Sequence, residues 1–137
     1  MAGSMELSLR LRPEAEAVPV LLDRLEAYAW EAGLPPAAAQ RLALVCEEWL
    51  ANVAMHGAGA SFAELALWRE ADGLHLRLAD DGPAFDPLAE PPPDTECPLG
   101  ERMAGGLGLH LMRRMTRRLD YAREAGRNRL LAVLDVA

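Results

Sequence analysis

No stretch of this chain reaches the roughly 18 consecutive apolar residues that a membrane-spanning helix needs. Its N-terminus likewise lacks the basic segment, apolar run and small-residue cleavage site of a secretory leader. Cysteine is scarce. Cys46 and Cys97 stand alone and fit no metal-binding spacing, and with no leader they point to a reducing, cytoplasmic setting. Positive charge is also short: 14 Lys and Arg against 21 Asp and Glu leave a net charge of −7, which argues against direct nucleic-acid binding. The one basic concentration, Arg113, Arg114, Arg117 and Arg118, reads as a solvated helix face or a surface for a protein partner.

What is present suits one globular domain. With 137 residues, 51% of them hydrophobic, the chain is long enough to bury a core. Residues 5–137 are expected to form that domain, and Met1-Ala-Gly-Ser4 reads as a tag scar or disordered N-terminus. Alternation over 5–11 predicts a first strand. A helix is expected from Pro13 to about Trp30, ended by Gly33; a second starts at Pro35-Pro36 and reaches about His56. Strands over 61–69 and 74–79 form a hairpin around Asp72-Gly73. A proline-rich segment over 83–104 has little periodicity and reads as a functional or disordered loop. A third helix is expected over 107–118, with Leu111, Met112, Met115 and Leu119 as its apolar stripe, and a last hairpin turns at Gly126. The order βααββαββ implies an α+β two-layer sandwich, with helices on one face of a mainly antiparallel mixed sheet.

Three segments carry chemistry. On the second helix, at about 100° per residue, Leu42, Val45, Cys46, Trp49 and Val53 share the core face. Glu48, Asn52 and His56 are spaced four apart and border that face, while Glu47 points towards water. A carboxylate and an amide one turn apart are oxygen donors suited to a base and a Mg²⁺ ligand, although such pairs also occur as ordinary surface neighbours. In the strand over 74–79 the leucines alternate with His75 and Arg77, so Asp80 falls on the leucine face and Asp81 points away. A carboxylate there needs a donor partner, and an adenine amine is one; a plain Asp-Asp-Gly turn is the other reading. Gly82 leaves room for a flat ring to approach the backbone. Gly105-Gly106-Leu107-Gly108 opens the third helix, where free N–H groups and the positive dipole end suit phosphate. Arg102, just upstream, either reaches a terminal phosphate or is merely solvated.

Together these segments resemble the nucleotide-binding boxes of the GHKL superfamily, with its Bergerat-type ATP-binding fold, and within it the bacterial anti-sigma factor serine/threonine kinases. The likeness runs from Met5 to Val136. Glu48-Trp-Leu-Ala-Asn52-Val-Ala-Met-His56-Gly57 looks like the family's asparagine box. Carried over, Asn52 ligates Mg²⁺, Glu48 is the general base and His56 lines the phosphate side. Asp80-Asp-Gly82-Pro-Ala-Phe85-Asp-Pro87 is similar to the aspartate-glycine box, making Asp80 the adenine reader. Gly105-Gly-Leu-Gly108-Leu-His-Leu111 resembles the second glycine box, with the preceding loop as the ATP lid.

Two departures stand out. Many relatives carry a threonine after the turn glycine of the last strand, helping to hold adenine through water, where this chain has Gly126-Arg-Asn128-Arg-Leu130. The lid is also proline-rich and longer between Glu101-Arg102 and the glycines. The resemblance implies ATP and Mg²⁺ as cofactors and phosphoryl transfer to an anti-anti-sigma (STAS-like) partner. A sigma factor is a further possible partner, and the chain a possible homodimer. The alternative is an ATP-gated module that sequesters a regulator without phosphoryl transfer.

Overall fold

The computed structural model describes residues 6–56, 59–86, 88 and 106–136. In chain order the elements are β1 (Leu7–Leu11), α1 (Ala17–Ala32), α2 (Pro36–His56), β2 (Ala63–Glu70), β3 (Gly73–Asp80), α3 (Gly106–Met115), β4 (Arg118–Glu124) and β5 (Arg127–Leu134). The strands form one sheet in the order β1-β2-β3-β5-β4. Every pairing among them is antiparallel, so the mixed component expected of the sheet is absent from the described residues. None of the described helices is long and apolar enough to cross a membrane.

Two helix boundaries differ from the sequence expectation. The residues after Pro13 form turns, with Ala17 N–H bonded to the Glu14 carbonyl at 3.0 Å, and α1 begins only at Ala17. The helix then ends at Gly33, whose left-handed φ of 66° lets its N–H reach the last carbonyls of α1. At the other end of the chain, α3 stops at Met115 rather than Arg118. The Thr116 hydroxyl donates to the Met112 carbonyl at 2.9 Å, and Arg117 N–H already bonds to Val133 O at 2.8 Å, drawing the chain into β4. The four arginines therefore do not share one helix face. Arg113 and Arg114 end α3, Arg117 bonds through its side chain to the Asp72 carbonyl, and Arg118 is paired with Asp120 at the start of β4.

The core lies between the helices and one face of the sheet. It joins Leu21 and Leu25 of α1, Leu42, Val45, Cys46, Trp49, Leu50 and Val53 of α2, and Met112 of α3 to the inward leucines of the strands. Each fully buried leucine contributes about 1.5–3 kcal/mol, so this face defines the register. Burial pushes the Cys46 thiol well above its ordinary value, as befits an inert core residue. Cys97 lies outside the described residues.

Two turns position the hairpins. Ala125 and Gly126 both have positive φ, 50° and 75°, the combination that a tight two-residue hairpin turn needs. Gly73 opens β3 with φ of 140°, and a Cβ there would lie 2.3 Å from the Leu134 carbonyl oxygen, so β3 and β5 approach as closely as they do only because this residue has no side chain.

Candidate nucleotide site

α2 carries the first two site residues. Trp49 and Val53 anchor its inner face in the core, and Asn52 is drawn in with them, at 6% exposure. Asn52 is thus more deeply placed than the border position expected of it. Its Nδ2 is buried without a hydrogen-bond partner among the described residues. An orphaned amide end costs about 1–3 kcal/mol, a cost that a ligand at the same place would relieve. The two ends of an amide have nearly the same shape, so a half-turn presents the oxygen instead. That donor chemistry fits Mg²⁺. One turn earlier, Glu48 is half-buried and makes no hydrogen bond or ion pair to a described residue. Burial chiefly, and the neighbouring Glu47 carboxylate secondarily, raise its pKa above the usual carboxylate range. Glu47 is half-buried too, so helical phase separates the pair less sharply in exposure than expected. His56 is the last residue of α2.

At the end of β3, Asp80 continues the face of Leu74, Leu76 and Leu78 and is 7% exposed. Its Oδ1 accepts from Gly82 N–H at 2.9 Å and from Asn128 Nδ2 at 3.1 Å. Its Oδ2 takes no hydrogen bond from a described residue. Asp81 points the other way and staples the strand entrance, accepting from the backbone N–H groups of Ser61 (2.7 Å) and Phe62 (3.1 Å) and from the Ser61 hydroxyl. The Ser61 hydroxyl is the leading cause that holds the Asp81 carboxyl below its usual range. Strand parity thus separates a buried aspartate from a structural one.

Gly82 is buried, and its carbonyl accepts from Arg123 at 2.7 Å. Gly106, Leu107 and Gly108 form the first turn of α3, where helix geometry leaves backbone N–H groups unused. Arg102 and Gly105 lie outside the described residues, as does most of the expected lid. α2 and α3 are packed against each other, and Val53, Leu78 and Met112 share one core cluster. The helices that carry the asparagine and glycine segments are thus neighbours, and the strand that carries the aspartate contributes to the same core.

Sequence reasoning missed Asn128. It is buried at 7% exposure and sits directly opposite Asp80 in the β3–β5 register. Its signal was parity: Asn128 shares an inward face with Leu130, Ala132 and Leu134, so a polar side chain was being sent into the core.

The profile of the histidine kinase-like ATPase domain matches residues 11–134. The chain belongs to that family. It is 33% identical over 92 residues to the serine/threonine-protein kinase BtrW of Bordetella bronchiseptica, a match spanning 65% of each chain. The fold is shared with the structure of the RsbU and RsbW domains of Rv1364c from Mycobacterium tuberculosis, at a TM-score of 0.65 and 13% identity over 95% of this chain. That match spans 32% of the mycobacterial chain.

Proposed function

We propose that this domain binds ATP with Mg²⁺ and transfers its terminal phosphoryl group to a serine or threonine of an anti-anti-sigma (STAS-like) protein. The buried Asn52 Nδ2, one turn from a partly desolvated Glu48, with neither hydrogen-bonded to a described residue, carries this reading. Likeness to a serine/threonine-protein kinase supports the choice of transfer over binding alone. A sigma factor as a second partner, and pairing of two copies, belong to the same proposal.

Asp80 receives the adenine amine on Oδ2, while Oδ1 stays engaged with the protein. The backbone N–H groups of Gly106, Leu107 and Gly108 at the start of α3 would bind the phosphates, a role the family resemblance extends to Gly105, Arg102 and His56. Asn52 holds the metal ion, whose chemistry when bound is to neutralise charge on the phosphates. Glu48 takes the proton of the partner's hydroxyl as its oxygen bonds to the γ-phosphorus and the bond to the ADP oxygen breaks. A raised pKa makes Glu48 a stronger proton acceptor than an exposed carboxylate.

The test combines purified protein, Mg-ATP and a STAS-domain partner, with phosphate on the partner read by mass spectrometry. Phosphoserine or phosphothreonine is expected with the unaltered chain and absent with Glu48→Gln. Association that requires ATP but leaves the partner unphosphorylated would replace the kinase by a nucleotide-gated binding module.

A further inference from the structure

We infer that Asn128 is a positioning residue that sets the orientation of the Asp80 carboxylate, and through it the preference for adenine, without itself touching nucleotide. The inference rests on the reading of Asp80 as the base-contacting group.

A side-chain amide offers two N–H donors and two acceptor lone pairs. Asn128 uses all four within the protein. Its Nδ2 donates to Asp80 Oδ1 at 3.1 Å and to the Pro83 carbonyl at 2.8 Å. Its Oδ1 accepts from Phe85 N–H at 3.1 Å and from the Tyr121 hydroxyl at 2.6 Å. No capacity remains for a ligand or for a water that bridges to one. What the amide does is close a circuit. β5 supplies Asn128, β4 supplies Tyr121 and Arg123, and between them they hold Asp80 and the backbone from Gly82 to Phe85.

The consequence falls on Asp80. With Oδ1 held by Gly82 N–H and Asn128 Nδ2, the carboxylate is confined to one rotation about its terminal bond, and Oδ2 is kept as the acceptor. Adenine presents an amine to that acceptor, whereas guanine carries a carbonyl oxygen at the same ring position. Both oxygens of a carboxylate are acceptors, so confinement adds to the strength of the bond from adenine's amine, part of which is lost when the group is free to rotate, while guanine, with no donor there, gains nothing from it. A buried amide that served folding alone would affect both nucleotides equally.

Calorimetric titration with ATP and with GTP, using the unaltered chain and the variants N128A, N128D and Y121F, decides the matter. N128A is expected to bind ATP about tenfold more weakly, the worth of one hydrogen bond to a charged group, with GTP little changed. Y121F removes one donor to the amide from the partly buried edge strand, and a smaller loss in the same direction is expected. N128D places a second carboxyl beside Asp80, within reach of the Tyr121 hydroxyl and opposite Arg123 in the β4–β5 register. At about pH 8 repulsion weakens ATP binding, and at about pH 5.5 the protonated group donates to Asp80 Oδ1 and restores most of it. Should N128A fail to fold, Y121F and the pH profile of N128D carry the decision.

Equal loss of ATP and GTP binding, or an N128D profile parallel to that of the unaltered chain, would overturn the inference. If the unaltered chain binds ATP and Asp80→Asn abolishes binding while Asn128 and Tyr121 variants keep the ATP preference, the positioning role alone is lost. An unaltered chain that binds no ATP removes both readings together.

Discussion

Asp80→Asn separates the proposed nucleotide-binding role of this aspartate from its structural one. Both groups bonded to Oδ1, Gly82 N–H and Asn128 Nδ2, are donors, so the amide oxygen of the variant must take that position. The variant's NH₂ then stands where Oδ2 was and turns a donor towards the amine of adenine. The loss of a hydrogen bond to a charged acceptor costs about 1.5–3 kcal/mol. Opposed donors add about 1 kcal/mol as an unsatisfied polar contact, for a total of roughly 2.5–4 kcal/mol. At about 1.4 kcal/mol per tenfold, ATP affinity falls on the order of 60- to 1,000-fold. Stability should change little, because both internal hydrogen bonds survive and a buried charge at 7% exposure is removed. Titration calorimetry with Mg-ATP, paired with thermal denaturation of the same samples, reads both quantities. ATP affinity equal to that of the unaltered chain would refute the pocket itself, and a collapse of the melting temperature would show Asp80 to be a folding residue instead.

Other outcomes follow from the same geometry. Asn52→Leu removes the orphaned Nδ2 and fills the site with apolar volume, so stability should rise by about 1–2 kcal/mol while Mg-dependent nucleotide binding disappears; a less stable variant, or one that still needs Mg²⁺ to bind ATP, contradicts the assignment. Glu48 has a raised folded-state pKa, so the protonated form favours the fold: its contribution is fully present below the unfolded pKa and is lost as pH rises through the folded one. Glu48→Gln should accordingly melt higher than the unaltered chain at neutral pH, with the difference vanishing in acid, and a constant difference across a pH series of melts counts against a perturbed carboxyl. Gly73→Ala forces a Cβ against the Leu134 carbonyl and gives up a positive φ, which should cost about 3 kcal/mol in chemical denaturation; a cost under about 0.5 kcal/mol means that the strands can part there.

Much of the site was legible because its signals are local. Period 3.6 placed Trp49 and Val53 inward and Asn52 only at the border of their face, where the structure buries it, while period 2 carried Asp80 onto the leucine face and left Asp81 to staple Ser61. Where two periodicities overlap, local reading erred. Leu119 fits the apolar stripe of Leu111, Met112 and Met115, so the helix looked longer than it is; in the structure Leu119 faces Ala132 across β4–β5. The basic run was misplaced for the same reason.

Asn128 marks the boundary. Sequence alone determined that a polar side chain points inward at that position, since parity with Leu130, Ala132 and Leu134 depends only on the strand. It also determined the composition of the three candidate segments and their placement on a helix, a strand end and a helix start. Only the tertiary structure decided that Asn128 stands opposite Asp80, because the β3–β5 register is set by core packing across 48 residues of chain. The same packing decided which oxygen of Asp80 is used inside the protein and left the Asn52 amide nitrogen without a partner among the described residues. Those are properties of how faces meet, and no single segment contains them.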